Sequence, residues 1–460
     1  MDEQAYQDKI ARLEREIENL KAENARLQRL LEEALRATKR QAAPFSRRNP
    51  KANPRKPGRK AGSKYGRPCR RPVPEEVDEV IEVALPETCP QCGSEVEETG
   101  VVSQYQTEIP PPQVERIEFR IHQGCCQSCG QRVEGRHPRQ TSAASIAESQ
   151  LGPRAVALAT QLNKGLGLPY GKVSQVLEQG WGLKVSRSGL CRAIARVGAR
   201  AAPTYQALLE RIRGEPNVTP DETGWKVEAR LWWMWVFTSV RLTVYAILPG
   251  RGFEQAATVL GADFAGFLTR DGWGVYRQFR QAWHQSCLRH LLTRCREMRE
   301  ISSPSAGEFP RRVQVILKAA LGLRDRRDQG QTSEHGLAVA RGQLEARLDR
   351  DLDRHWRSPA NRRFAAHLLR ERHALFTFLY CPGLEATNWR AEQAIRFMVV
   401  ARKVWGGNRT AAGAVTQSIL LSVLQTCHQQ NRPVLPVLEQ LLCSPQPAII
   451  DLLAPRSISR

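Results

Sequence analysis

Between residues 10 and 34 apolar side chains recur every 3.5 positions. Ile10, Ile17, Asn24 and Leu31 take one seam position, and Leu13, Leu20 and Leu27 take the other. This period predicts a coiled coil, and a lone Asn on the seam sets register and favours a parallel dimer. In such a dimer Lys9 would face Glu14 of the second copy, and Glu16 its Lys21. The pattern then stops. From Ala34 to Pro74 the chain has no Asp or Glu but carries 14 Lys or Arg and seven Pro, a composition that cannot bury enough apolar surface to fold. Residues 103–108 and 116–122 read as strands, paired as a hairpin. Residues 153–164, 170–179 and 186–198 read as three helices, with Ser186 or Ser188 capping the third and Gly180-Trp181-Gly182 turning between the last two. Short helices joined by a glycine turn suggest a helix-turn-helix. After Pro216 the period shortens to two. Residues 218–227, 231–238 and 242–248 read as strands rich in aromatic and β-branched residues, 253–260 as a helix, and 264–269 as a fourth strand. Thr387-Asn388 reads as a cap on a helix over 389–402, and 435–453 as a short helical tail.

Charge changes the picture. Of 460 residues, 69 are Lys or Arg and 47 are Asp or Glu, a formal charge of +22 and a pI near 9.9. That balance excludes an ordinary acidic-surfaced enzyme and points to a polyanion, by default DNA. Arg55, Lys56, Arg59 and Lys60 in the linker suit the phosphate backbone or a narrow minor groove. Arg187, Arg192 and Arg196 would lie along the third helix. The longest apolar run, residues 231–237, is seven long, far short of the ~20 that span a bilayer. Met1 leads straight into Asp2 and Glu3, so a cytoplasmic chain is expected, with no membrane partner. In that compartment the 12 cysteines point to metal or free thiols.

Two groups of residues carry candidate chemistry. Cys89-Pro90-Gln91-Cys92-Gly93 and Cys126-Gln127-Ser128-Cys129-Gly130 are paired CxxC turns, each able to aim two thiolates at a structural Zn²⁺. Cys125 adjoins Cys126, but only Cys126 keeps the spacing. The second group is acidic. Strand, strand, strand, helix, strand is the order of a ribonuclease-H-like core, with one Asp on the first strand and another at the end of the fourth. Asp221 and Asp271 occupy those places, and Glu392 lies in the first turns of the later helix. Displacement at a phosphodiester is assisted by two Mg²⁺ or Mn²⁺ ions about 3.5–4 Å apart, and hard cations require oxygen ligands. His284, Cys287 and His290 are read as core and supporting residues rather than as a metal site, since only three ligands are visible.

Several motifs together resemble DDE transposases of the insertion-sequence-66 type. They are Asp221-Glu222-Thr223-Gly224-Trp225, Asp271-Gly272-Trp273-Gly274-Val275-Tyr276, the His284–Cys287–His290 run, and Thr387-Asn388-Trp389-Arg390-Ala391-Glu392-Gln393-Ala394-Ile395-Arg396. Arg402-Lys403 and Gly406-Gly407-Asn408-Arg409 follow. The order of zipper, basic linker and four-cysteine module is similar too. Trp389, Arg390 and Gln393 depart from the family pattern. The resemblance implies a DNA recombinase with catalytic, metal-binding acids Asp221, Asp271 and Glu392. It also implies DNA contacts at Arg396, Arg402 and Lys403, element ends and target DNA as partners, a homodimer or higher oligomer, and accessory proteins of the same element. The expected organisation is a coiled coil over 1–38, a disordered basic linker over 39–74, a zinc-binding module over 75–140 and a helix-turn-helix-like domain over 150–212. A multidomain α/β, ribonuclease-H-like catalytic domain over 213–432, with a helical insertion at about 288–380, precedes a helical tail over 433–460. A non-catalytic DNA-binding regulator derived from a transposase, and a nuclease without strand transfer, are the alternatives.

Overall fold

The computed structural model describes residue 9 and residues 12–20, 22–24, 26–27, 71–141 and 150–454. The chain divides into two units, Met1–Pro110 and Pro111–Arg460. In the first, residues 12–20, 22–24 and 26–27 are helical (α1). Leu13, Ile17, Leu20 and Leu27 leave half or more of their surface open, from 50% to 62%. Ile10 and Leu31 of the seam fall outside the described residues, as do Arg55, Lys56, Arg59 and Lys60.

The stretches 103–108 and 116–122 are not strands. Their apolar residues find no layer to cover them: Tyr105, Ile117 and Ile121 stay exposed. The hairpin forms instead in the second unit from β1 (Gln123–Cys125) and β2 (Arg132–Glu134), with Cys125 opposite Arg132.

Three helices precede the main sheet. α2 (Pro153–Thr160) runs into a π-turn over Gln161–Gly165. α3 (Tyr170–Trp181) runs through the expected turn and stops at Gly182, whose φ of +66° is the left-handed value that favours glycine at a helix end. α4 (Arg187–Arg213) starts at Ser186, whose Oγ accepts from Gly189 N–H at 3.1 Å. It continues far beyond residue 198, through Pro203, because Ala201, Thr204, Leu208 and Ile212 extend its buried stripe.

The sheet contains β3 (Asn217–Val227), β4 (Arg230–Thr238), β5 (Thr243–Leu248), β6 (Phe267–Arg270) and β7 (Trp283–Ser286), with α5 (Phe253–Leu260) between β5 and β6. The order is β5-β4-β3-β6-β7. β4 is antiparallel to both neighbours, while β3, β6 and β7 are mutually parallel. Both faces are covered, which accounts for the continuous apolar run of β4. On one face Val218, Trp235 and Phe237 pack with residues of α4 and α5. On the other, Trp225, Val227, Met234 and Val236 meet Ala391, Ile395 and Met398.

A helical block follows β7: α6 (Leu288–Ile301), α7 (Glu308–Asp328), α8 (Glu334–Leu352), α9 (Pro359–Arg370) and the short α10 (Thr377–Tyr380). Its own apolar cluster includes Phe309, Ile316, Phe364 and Phe376. The chain then returns to the sheet through α11 (Trp389–Trp405), α12 (Ala411–Gln429) and α13 (Val434–Cys443). Among the described residues the tail is helical only to Cys443. Beyond it, extended chain is anchored by buried Leu452 and by the bond from Ile450 N–H to Thr204 Oγ1 at 3.0 Å.

Edge strand β5 is closed by hydroxyls. Ser418, Ser422 and Thr426 of α12 accept from the backbone N–H groups of Ile247, Tyr245 and Thr243 at 3.0, 2.8 and 3.2 Å. Four helical residues rise about 6 Å and two strand residues about 6.7 Å, so every fourth residue of the helix meets every second residue of the strand. The Ser418 and Ser422 hydroxyl protons go to carbonyls one helical turn back, at 2.9 and 2.7 Å. Among the described residues no helix is long and apolar enough to cross a membrane.

Candidate active site

Parallel pairing of β3 with β6 sets Asn217 opposite Phe267 and Val218 opposite Leu268, an offset of 50 residues. The same offset carried along the strand sets Asp221 level with Asp271, one residue past β6. Strand alternation puts Asp221 on the face of Trp225 and Val227, the face that α11 covers. Asp221 Oδ1 accepts from Glu222 N–H at 2.9 Å, and Asp271 Oδ1 from Trp273 N–H at 2.8 Å. Asp271 thus closes the tight turn that follows its strand.

Glu392 lies in the first turn of α11, where its own N–H bonds Asn388 C=O at 3.1 Å. Its carboxylate meets Arg289 Nη1 at 3.1 Å and His290 Nε2 at 3.7 Å, both from the start of α6. The Asp221 carboxyl is pushed up to about 7, first by burial, then by the negative charge of Glu222, and further by Asp271 and Glu392. Asp221 therefore feels the charge of both other candidate acids. Of the three, Asp271 lines a cavity of about 330 Å³, together with Trp273, Cys287, His290 and His367. A bound cation would relieve the repulsion that raises Asp221.

Other residues support this end of the sheet. Glu222 faces the opposite way from Asp221. It accepts from buried Tyr276 Oη and from Arg251 Nη2 at 2.6 Å. The Arg251 guanidinium lies between two indoles, 4.5 Å from the ring of Trp233 and 3.9 Å from that of Trp273. Behind Asp271, Arg270 and Glu371 form a fully buried ion pair at 2.8 Å. Arg277 reaches Glu371 at 2.9 Å, and Ser286 donates to it. Arg270 also donates to the Asp271 carbonyl at 3.1 Å and to His284 Nδ1 at 3.1 Å. His284 therefore carries its proton on Nε2, which faces Phe279 C=O at 3.0 Å. Burial, with the Arg270 charge second, pushes His284 down to about 4. Tyr276 was visible within a motif. Glu371 stands in an Arg-rich helical stretch and gave no signal.

The predicted DNA-contacting residues divide. Arg187, Arg192, Arg196 and Arg396 are exposed, and among the described residues none is ion-paired with an acid. Arg402 turns inward: its Nη1 donates to Thr223 Oγ1 at 3.0 Å and to the Gly224 carbonyl, so its guanidinium fastens α11 to β3. Lys403 is half-buried. The Gly406-Gly407-Asn408 run is structural as well. Asn408 Oδ1 accepts from Trp225 Nε1 at 2.7 Å, and Asn408 N–H bonds Lys226 C=O at 2.9 Å. A side chain on Gly407 would lie 2.3 Å from that carbonyl oxygen, at a backbone φ of +128°.

Each CxxC turn is formed within its own unit. Gly93 N–H bonds Cys89 C=O at 2.8 Å, and Gly130 N–H bonds Cys126 C=O at 2.9 Å. The two glycines have φ of +73° and +69°. A bridge between Thr88 and Glu95 flanks the first turn, and the β1–β2 hairpin flanks the second.

A mixed sheet that brings two aspartates level, with a glutamate from a covering helix whose charge reaches Asp221, defines an α/β protein with an acidic site. Residues 148–416 match the family described as Transposase IS66 family. The chain belongs to this family, whose members as transposases cleave and transfer DNA and therefore bind it. A comparison with curated protein sequences finds no match.

Proposed function

We propose that the chain is a DNA transposase of an insertion sequence, working through a ribonuclease-H-like core with Asp221, Asp271 and Glu392 as its catalytic acids. The observation that carries this reading is the β3–β6 register. Asp221 and Asp271 are brought level by one strand offset, and Asp221 is raised in part by Asp271 and Glu392. The sheet order, with β4 alone antiparallel to its neighbours, supports the fold assignment.

The acids fit a pair of hard cations by donor type, since all three offer carboxylate oxygens. When bound, two Mg²⁺ or Mn²⁺ ions supply activation of the incoming oxygen and stabilisation of the leaving one. The protein's part is positional. β3 and the turn after β6 hold the aspartates, with Oδ1 of each fixed by a backbone N–H. α11 delivers Glu392. The buried Arg270–Glu371 pair fixes the strand end behind Asp271, and the Arg251–Glu222–Tyr276 cluster fixes the strand beside Asp221. Exposed Arg187, Arg192, Arg196 and Arg396 supply phosphate contacts, joined by Arg55, Lys56, Arg59 and Lys60 of the linker.

In the same reading α1 pairs in parallel with a second copy through its open seam, and each CxxC turn offers two thiolates to a structural Zn²⁺ by its spacing. The test is incubation of the purified chain with Mg²⁺ and DNA carrying the sequences on either side of its gene, searched for inverted repeats. Cleavage at the repeat ends is the expected result. DNA binding without cleavage in either Mg²⁺ or Mn²⁺ would instead mark a non-catalytic regulator.

A further inference from the structure

We propose that Cys287, His290 and Glu392 form a binding site for a transition-metal ion of the Zn²⁺ class, different in donor chemistry from the carboxylate pair of Asp221 and Asp271. One ligand atom from each of the three lies within 4.8 Å of the other two. Two ligands of one tetrahedral zinc stand about 3.3–3.8 Å apart, given bonds of about 2.0–2.3 Å, so side-chain rotation of about 1 Å closes the set around an ion.

The placement comes from two helix starts stitched together. Cys287 is the N-cap of α6, and His290 is one turn on, so the two share a face. Asn388 is the N-cap of α11, and Glu392 is one turn on. Leu288 N–H bonds Ala386 C=O at 3.0 Å, and Asn388 N–H meets Cys287 Sγ at 3.4 Å. These backbone bonds hold both first turns on rigid elements. Arg289 takes Glu392 Oε2 at 3.1 Å, which leaves Oε1, the atom 3.7 Å from His290 Nε2, for the ion. His284 takes no part, because its two nitrogens serve Arg270 and Phe279.

The donor set decides the metal. A thiolate and an imidazole favour zinc or cobalt over magnesium. Three protein ligands with one open position is the pattern of zinc sites that accept an outside ligand. Cys287 and His290 line a cavity together with Asp271, from which an outside ligand would reach the ion. The inference goes beyond the proposed function and shares Glu392 with it, so that Glu392 serves the carboxylate-bound cations only when the Cys287–His290 site is empty.

Equilibrium dialysis of the full-length chain against Zn²⁺ tests it. Wild type should retain one equivalent more than Cys287→Ser and one more than His290→Ala, with folding of each variant verified by circular dichroism. The His290 side chain is half exposed, so its removal opens no core and preserves the comparison if Cys287→Ser does not fold. With Co²⁺ in place of zinc, the near-ultraviolet thiolate-to-cobalt absorption should fall in Cys287→Ser and persist in Asp271→Asn. Equal zinc content in wild type and His290→Ala, or an unchanged cobalt band in Cys287→Ser, overturns the site. A chain that cleaves DNA but shows no Cys287-dependent metal loses this inference and keeps the proposed function. A chain that binds the extra metal but cleaves nothing does the reverse.

Discussion

At Gly407 the backbone passes so close to Lys226 C=O that a methyl group has no room, at a φ of +128° that L side chains rarely adopt. Gly407→Ala should cost about 2 kcal/mol or more and lower the thermal midpoint by several degrees. An unchanged midpoint would mean that the junction of β3 with the residues after α11 relaxes freely. His284 makes a second prediction. Its folded value of about 4 lies below the usual ~6.5, so between those values the unfolded chain binds more protons. Stability contributed by neutral His284 is then complete above about pH 6.5 and is lost as pH falls toward 4. Urea midpoints at pH 7 and pH 5 should differ more in wild type than in His284→Gln, which can still accept from Arg270. Equal pH dependence would contradict the buried neutral imidazole. At this scale the candidate acids were legible only by placement: Asp221 on the first strand, Asp271 at the end of the fourth and Glu392 at a helix start, since a lone Asp in a strand or an Asp-Gly turn is ordinary. Arg402 was not legible as an anchor, because an exposed and an inward-turned arginine have the same sequence signature.

Among the elements, the β5–α12 seam is the clearest case of tertiary context giving meaning to an unremarkable pattern. Ser418, Ser422 and Thr426 at four-residue spacing read as breaks in an apolar helix, yet they satisfy three N–H groups of an edge strand. Ser422→Ala should leave Tyr245 N–H buried without its partner and cost about 1–3 kcal/mol, measured by denaturant titration. A loss below about 0.5 kcal/mol would show that the strand edge finds another acceptor. Four of the five strands of the sheet were legible from their period, but β7, only four residues long, was not, and α5 matched its sequence reading residue for residue. The hairpin expected over 103–122 was not formed there, since alternation alone does not make a strand where no layer covers its apolar side. The stitching of α6 to α11 was invisible, because Cys287 and Glu392 are brought together only by the return of the chain after a helical block with its own core.

For the whole molecule, a basic chain of net charge +22 carries the acidic site proposed for catalysis. Removal of residues 39–72 should flatten the salt dependence of DNA affinity, each lost phosphate contact reducing the log–log slope by roughly 0.9. A slope unchanged by the deletion would reduce the linker to a spacer. The central claim is that Asp221, Asp271 and Glu392 act as one unit, and the most direct measurement is Mg²⁺-dependent cleavage of end-containing DNA by Asp221→Asn, Asp271→Asn and Glu392→Gln. Residues that work as a unit are strongly non-additive. Each single variant should therefore bind the DNA as wild type does, lose cleavage by about 10³-fold or more, and lose little further when two changes are combined. Wild-type cleavage by any one of the three would contradict the account.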